Sequence, residues 1–214
     1  ANNSEAYANY WIHSGMVQIN NEKMSKSLGN FFVIREVLES YRPEVLRYFL
    51  ISAHYRSEIN YSQENLDHAQ NALNRFYTAL RGLDLSVALP QDHQTWHARF
   101  NEAMLDDFNV PQAMAVLFEL LKKINQLEAP EASAYGVLLK KLAGIFGLLQ
   151  QDPDAYFQGS QDDDFDVKIQ NLLAQRSQAR QEKNWTLADT VRDELEKLDV
   201  VVEDTAQGPI WRKK

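Results

Sequence analysis

Apolar residues recur at spacings of three and four along most of this chain, a period that predicts helices rather than strands. From Ser62 the stripe Leu66, Ala69, Leu73, Phe76, Tyr77 and Leu80 continues to Gly82. Ser62 is placed to cap that helix, Glu64 sits at the positive end of its dipole, and Gly82 ends it. A second helix carries Trp96, Phe100 and Met104 on one face. Pro111 opens a third, with Ala113, Leu117, Leu120, Leu121, Ile124 and Leu127 as its stripe. Pro130 reads as a loop, and a fourth helix is expected to bury Leu138, Leu139, Leu142, Ile145, Phe146 and Leu149. Amphipathic helices joined by moderate loops predict an antiparallel bundle. No repeat of fixed period is visible, which argues against a solenoid.

The flanks have different patterns. Met16 to Ile19 reads as a short strand and Asn20-Asn21-Glu22 as a turn. After a lysine-rich pentapeptide, Gly29 and Asn30 are turn formers. Phe31 to Ser40 reads as a short helix with Val33, Val37 and Leu38 inward. Pro43 suits the first position of another, carrying Val45, Leu46, Phe49 and Leu50. On the far side, Gln151 to Phe165 contains Pro153, Gly159, Ser160 and an aspartate run, and reads as a linker. Val167 to Lys183 reads as a helix with Ile169, Leu172, Leu173 and Ala179 inward. Asn184-Trp185 is read as a turn into a helix holding Leu187, Val191, Leu195 and Leu198. Val200 to Val202 is a strand, and Gly208 turns the chain so that Ile210-Trp211 can pair back. The expectation here is a helical hairpin capped by a β-ribbon.

Composition narrows the class. With 44% hydrophobic and 24% charged residues the chain falls among ordinary globular proteins. No apolar run approaches the ~18–20 residues that cross a bilayer. The first residues, Ala1 to Glu5, have neither the basic region nor the apolar core of a signal peptide. Cysteine is absent, which excludes disulfides and thiolate metal sites within the chain and permits a reducing cytoplasm. The net charge of −8 argues against nonspecific nucleic-acid binding. It is unevenly spread, from the acidic Asp162-Asp163-Asp164 to the basic Arg212-Lys213-Lys214, and local fields decide binding.

The most specific chemistry lies at Lys23-Met24-Ser25-Lys26-Ser27. Two lysines three apart, beside small hydroxyl residues, make a flexible polyphosphate clamp. Attack on an α-phosphate builds negative charge on the departing pyrophosphate. Lysines that close at that moment lower the barrier without over-binding the ground state. The alternative, a solvated lysine loop, fits a random Lys-x-x-Lys better than five ordered positions between a strand with a tight turn and a glycine with a helix.

This pentapeptide resembles the second signature of class I aminoacyl-tRNA synthetases. The first signature, a His-Ile-Gly-His type tetrapeptide, does not occur in the chain. Tyr10 to Val17, the pentapeptide and Leu28-Gly29-Asn30-Phe31-Phe32 together resemble cysteinyl-tRNA synthetase. So do Asp106-Asp107-Phe108-Asn109-Val110-Pro111, where Val110 replaces the usual threonine, and a C-terminal block from Ala179 through Trp211-Arg212. Asp199 stands where the family often has glycine. The resemblance implies a mainly α chain. Residues 1–61 would end a class I nucleotide-binding catalytic domain, 62–150 form a helical bundle, 151–165 link, and 166–214 form a small α+β anticodon-binding domain.

It also implies an ATP-dependent cysteine–tRNA ligase that makes cysteinyl-adenylate and transfers cysteine to tRNA(Cys) in the cytoplasm, with neither membrane nor DNA as partner. Lys23 and Lys26 would be catalytic, and ATP with Mg would meet Lys23, Met24, Ser25, Lys26 and Ser27. His13 and Gly15 would approach the adenine; a buried, hydrogen-bonded histidine at a strand edge is an equal reading of His13. The zinc that selects cysteine in the family is expected only in an upstream part, so no metal ligand is assigned here. By resemblance this is an enzyme lacking half its active site, a C-terminal fragment able to bind the anticodon region. A non-catalytic RNA-binding module and a ligase joining cysteine to an amino sugar are the alternatives, the second disfavoured by the C-terminal block.

Single-stranded RNA bases are read by stacking and by hydrogen bonds to their edges. Trp185 can stack, Asp189 one turn later can accept from guanine, Asp204 could approach from the ribbon, and Arg180 can donate. The resemblance implies that Arg180, Trp185, Asp189 and Asp204 read a GCA anticodon. The residue types alone favour a core tryptophan and local helix or turn aspartates. Arg47, Arg56 and Arg81 are candidates for tRNA backbone contact, with solvated helix-surface charge as the plainer reading.

Overall fold

The computed structural model describes residues 8–30, 33–158, 163–205 and 208–213. Phe31, Phe32, Gly159, Ser160 and Asp162 lie outside the described residues, as do the side chains of Lys26 and Asp204. The chain divides into two compact units, 1–150 and 151–214.

The first unit opens with a three-stranded sheet ordered β2-β1-β3. Strand β1 (Val17–Ile19) pairs antiparallel with β2 (Glu22–Lys23) and parallel with β3 (Ile59–Tyr61), Val17 facing Ile59 and Ile19 facing Tyr61. Two helices, α1 (Ile34–Ser40) and α2 (Pro43–Ile51), bridge the sheet sequence between β2 and β3. The bundle follows as α3 (Gln63–Leu80), α4 (His93–Leu105), α5 (Val110–Ile124) and α6 (Ala129–Gly144). Helix α3 packs on α2, α5 and α6, and α4 packs on α5 and α6.

Local chemistry explains the boundaries. The Ser62 hydroxyl accepts from the Asn65 N–H at 3.2 Å, and the Asn109 side chain accepts from the Gln112 N–H at 3.2 Å, satisfying one orphan donor at each helix start. All six residues expected from the α3 stripe are buried. Asp92, the N-cap of α4, makes no capping bond; its carboxylate is used instead by side chains of α4, α5 and α6. It accepts from Tyr135 Oη at 2.8 Å, Trp96 Nε1 at 3.1 Å and Lys123 Nζ at 3.1 Å. Burial opposes its ionisation, yet these three hydrogen bonds outweigh it and hold Asp92 below the usual carboxylate range.

Several expected inward positions face out. In α1 only Val37 is buried, while Val33, just before it, and Leu38 are exposed. In α2 the inner face is Glu44, Val45, Tyr48 and Phe49, and Leu50 falls one residue past it into solvent. Ile145 caps the end of α6 and is exposed, while Leu148 and Leu149 turn back inward. Leu127 lies in the turn beyond α5, half-buried. Pro130 is not in a loop but in the first turn of α6, where a missing N–H breaks no helical bond.

The buried Glu44 ties three segments together. Its carboxylate accepts from Tyr77 Oη at 2.8 Å and from the Leu149 N–H at 2.5 Å. A buried carboxylate is tolerable where such donors surround it.

The second unit contains α7 (Pro153–Gln158), α8 (Asp163–Gln181), α9 (Trp185–Lys197), β4 (Val200–Thr205) and β5 (Gly208–Lys213). The segment read as a linker therefore holds a helix, α7, which packs on β5 and buries Tyr156. Helices α8 and α9 pack together, and β4 pairs antiparallel with β5, Val202 opposite Trp211. The core is Ile169, Leu172, Leu173, Val191, Leu195, Val200 and Trp211. Leu187 is exposed, since it lies in the first turn of α9, off that face.

Candidate nucleotide loop and RNA-binding face

Lys23 leaves from a fixed platform. It is the last residue of β2 and pairs with Gln18. Asn20 and Asn21, between the strands, have φ of 50° and 65°. Positive φ at both central residues is what a two-residue hairpin turn needs, and asparagine tolerates it better than most residues. Neighbours hold the turn. The Asn20 N–H donates to the Tyr61 carbonyl at 3.0 Å, and the Asn21 N–H to Asn60 Oδ1 at 2.8 Å. Asn65 Nδ2 in turn donates to the Asn60 carbonyl at 2.8 Å, so the start of α3, β3 and the hairpin form one hydrogen-bonded piece.

Beyond Lys23 the chain forms a small closed loop, with Asn30 as its clasp. Asn30 Oδ1 accepts from the Ser25 N–H at 2.8 Å, and Asn30 Nδ2 donates to the Lys23 carbonyl at 3.1 Å. Inside the loop the Ser25 and Ser27 hydroxyls are 2.7 Å apart. Lys26–Leu28 form one 3₁₀ turn, after which Gly29, at φ +66°, reverses the chain in a conformation that favours glycine. Lys23 and Ser27 are exposed, while Met24 and Ser25 are half-buried. The arrangement presents a cation and two hydroxyls on a loop tied at its base.

His13 is exposed rather than buried. Gly15 has a structural duty. Its N–H donates to the Tyr55 carbonyl at 2.7 Å, and a Cβ there would sit 1.9 Å from the Ser57 carbonyl oxygen. Of the arginines, Arg56 is engaged by Asp107 at 2.7 Å, Arg81 is the half-buried C-cap of α3, and the exposed Arg47 lies against Gly147. Among the described residues no group of three His, Asp or Glu is close enough to hold a metal ion, and no helix is long and apolar enough to cross a membrane.

In the second unit the turn between α8 and α9 gathers three candidates. Lys183 takes a φ of 57°, and the Asn184 N–H donates back to the Ala179 carbonyl at 2.8 Å, ending α8 in a Schellman-type turn. The Asn184 side chain then accepts from the Leu187 N–H at 3.2 Å and starts α9. Arg180 lies in the last turn of α8 and Trp185 is the first residue of α9. Asp189, four residues on, shares the Trp185 face of α9. All three are exposed, Trp185 by 60%, so it is not a core tryptophan. Asp204 belongs to β4, opposite Pro209. Asp199 takes φ 56° after α9, the left-handed geometry expected at a position where the resembling family often has glycine.

Three family models match successive stretches: tRNA synthetases class I (C) catalytic domain over residues 1–71, DALR domain over 99–150, and Cysteinyl-tRNA ligase anticodon binding domain over 162–212. Curated relatives named Cysteine–tRNA ligase align along nearly the whole chain. That from Actinobacillus pleuropneumoniae serotype 5b is 53% identical over 210 residues, covering 97% of this chain and 46% of the relative. Those from Shewanella sp. strain MR-7 and Escherichia coli strain SMS-3-5 are 52% and 51% identical with the same coverages. The chain belongs to the cysteine–tRNA ligase family. It spans under half the length of these curated relatives. Among solved structures, an Agrobacterium radiobacter K84 LeuRS–tRNA–LeuAMS complex aligns at TM-score 0.48 and 17% identity, over 65% of this chain and 23% of that one, too weak a likeness to bear on the fold.

Within a cysteine–tRNA ligase, the class I match spans β1, β2, the Asn30-clasped loop and the start of α3. The anticodon-domain match spans the Arg180–Trp185–Asp189 turn and the ribbon. The Asn30 clasp escapes sequence reasoning because an asparagine after glycine signals only a turn, whereas its bonds reach five and seven residues back.

Proposed function

We propose that this chain supplies the ATP-handling loop, the helical bundle and the anticodon-reading unit of a cysteine–tRNA ligase acting in the cytoplasm. The working boundaries are 1–61, 62–150 and 166–214 for the catalytic end, bundle and anticodon unit, with 151–165 as a linker that carries α7 against β5. In the full reaction the cysteine carboxylate attacks the α-phosphate of ATP and pyrophosphate leaves. The terminal ribose of tRNA(Cys) then takes the cysteinyl group and AMP leaves.

Lys23 and Lys26 meet the charge that builds on the leaving pyrophosphate, where a donor aimed at the transition state lowers the barrier most. Mg²⁺ carried with ATP neutralises part of that phosphate charge. Met24, Ser25 and Ser27 shape the loop around the nucleotide, and His13 and Gly15 border the adenine side. The Asn30 clasp fits this role, since a loop tied at its base can swing as one body.

The observation that carries the reading is the exposed Trp185 between Arg180 and Asp189. An indole face open to solvent stacks on an unpaired base, a carboxylate pairs with guanine N–H donors, and an arginine meets base acceptors or phosphate. Asp204 completes the set from the ribbon.

The test is binding of tRNA(Cys) with its GCA anticodon, against the same tRNA with altered anticodon bases, at matched salt. Preference for GCA, and a weakening of ~5–150-fold on Trp185→Ala from the loss of one stacked base, are expected. Equal affinity for both tRNAs refutes the proposal.

A further inference from the structure

The turn between α4 and α5 is built around an unusual junction. Asp107 and Phe108 are consecutive non-glycine residues at φ 50° and 53°. Such geometry in a bulky residue persists only when its surroundings over-determine it. Asp107 is held from the segment between α2 and β3, on side chains 51 to 53 residues away. Arg56 Nε donates to Asp107 Oδ2 at 2.7 Å and Nη2 to Oδ1 at 3.3 Å, while Tyr55 Oη donates to Oδ1 at 2.7 Å.

His54 completes the grip. Its Nδ1 accepts from the Arg56 N–H at 3.3 Å, so the ring proton belongs on Nε2, which lies 3.0 Å from the Asp107 carbonyl oxygen. The edge of one ring meets the face of the other where Tyr55 and Phe108 pack at 6.4 Å, and the Arg56 guanidinium sits 5.0 Å from the centre of the Tyr55 ring. The Arg56 and Asp107 side chains are 60% and 47% exposed, and exposed ion pairs contribute little stability. What the junction supplies is position.

That position is transmitted by backbone. The carbonyl of Tyr55 accepts from Gly15, and Ile59 donates to Met16 at 3.0 Å, directly at the entry to β1. From β1 the hairpin leads to Lys23. We propose that Asp107 is a positioning residue for the Lys23–Ser27 loop: it fixes the α4–α5 turn to the strands that carry the loop, so the placement of the loop follows that of the bundle. The connection to the proposed ATP chemistry rests on the reading above; the mechanical connection does not.

The test is amide hydrogen exchange of the 214-residue chain with Asp107→Ala, Arg56→Gln and the double variant. The expected result is ~10-fold or faster exchange at Gly15 and Ile59, with α3 and α5 core amides and the melting temperature unchanged. The double variant should be no worse than Asp107→Ala, because both break one junction. Tyr55→Phe, which keeps the fold's backbone bonds, should give a smaller change at the same two amides. Unchanged rates at Gly15 and Ile59, a uniform rise across the unit with a lower melting temperature, or additive effects would each overturn the proposal. None of these readings needs ATP or RNA, so the Asp107 junction and the ligase reading can fail separately.

Discussion

Asn30→Ala is the sharpest local test of the loop. The substitution removes two hydrogen bonds, Ser25 N–H to Oδ1 at 2.8 Å and Nδ2 to the Lys23 carbonyl at 3.1 Å. A net ~0.5–1.5 kcal/mol for each gives about 1–3 kcal/mol of loop closure. Both groups lie at or near the surface, where water replaces a lost partner, so the lower half of that range applies. About 1.4 kcal/mol is a factor of ~10 in the opening equilibrium, and exchange of the Ser25 amide should quicken by that factor. The melting temperature should not move, because no core residue is touched. Asn30→Asp separates the two bonds: it keeps an acceptor for Ser25 and loses the donor, leaving a carboxylate facing the Lys23 carbonyl. Its Ser25 amide should stay better protected than in the alanine variant. Wild-type protection of Ser25 in Asn30→Ala would refute the clasp, and with it the idea that the loop moves as one tied body.

Glu44→Ala leaves two buried donors, Tyr77 Oη and the Leu149 N–H, without this acceptor. It should destabilise the first unit by about 2–5 kcal/mol, and Glu44→Gln, which retains one acceptor oxygen, by roughly half as much; thermal melts followed by circular dichroism decide it. Gly15→Ala should disrupt the β1–β3 register, since its Cβ would lie 1.9 Å from the Ser57 carbonyl oxygen; a cross-strand amide spectrum unchanged from wild type would refute this. Hydrogen bonds from Arg56 and Tyr55 hold the Asp107 carboxyl down to about 2, from an ordinary 3.8. Because the pair is exposed, the depression bears on local closure of the junction rather than on global stability: the ionised carboxyl holds the junction above the ordinary value and releases it as pH falls, so the junction should survive at pH 4 and fade toward pH 2. A carbon-detected titration of Asp107 centred on the ordinary value in the wild type would contradict this, and Arg56→Gln should move the midpoint upward.

Long-range geometry separates what the chain's pattern reveals from what it hides. The α3 stripe is legible because its six apolar residues repeat at helical spacing and all point one way. Leu38, Leu50 and Ile145 mislead because they sit at the ends or edges of short helices, where one residue of offset rotates a side chain into solvent. Segment 151–165 hides α7 because Pro153, a breaker in mid-helix, is harmless in a first turn, and because α7 finds its packing partner in β5, about fifty residues further along the chain. The pentapeptide could be recognised from five adjacent letters, whereas the grip on Asp107 joins residues more than fifty apart and leaves no periodic trace. Trp185 could be placed at a turn, but its exposure depends on Val191, Leu195 and Trp211 filling the core without it.

That difference in exposure makes the chain an optical instrument. Its four tryptophans occupy distinct surroundings: Trp11 and Trp185 open to solvent, Trp96 half-buried against Asp92, and Trp211 sealed in the second core. A soluble quencher reaches the open pair first, and Trp11→Phe leaves Trp185 as the one readily quenched indole. Light emitted from that single ring then follows any base that comes to rest on it, without a dye attached to either protein or RNA.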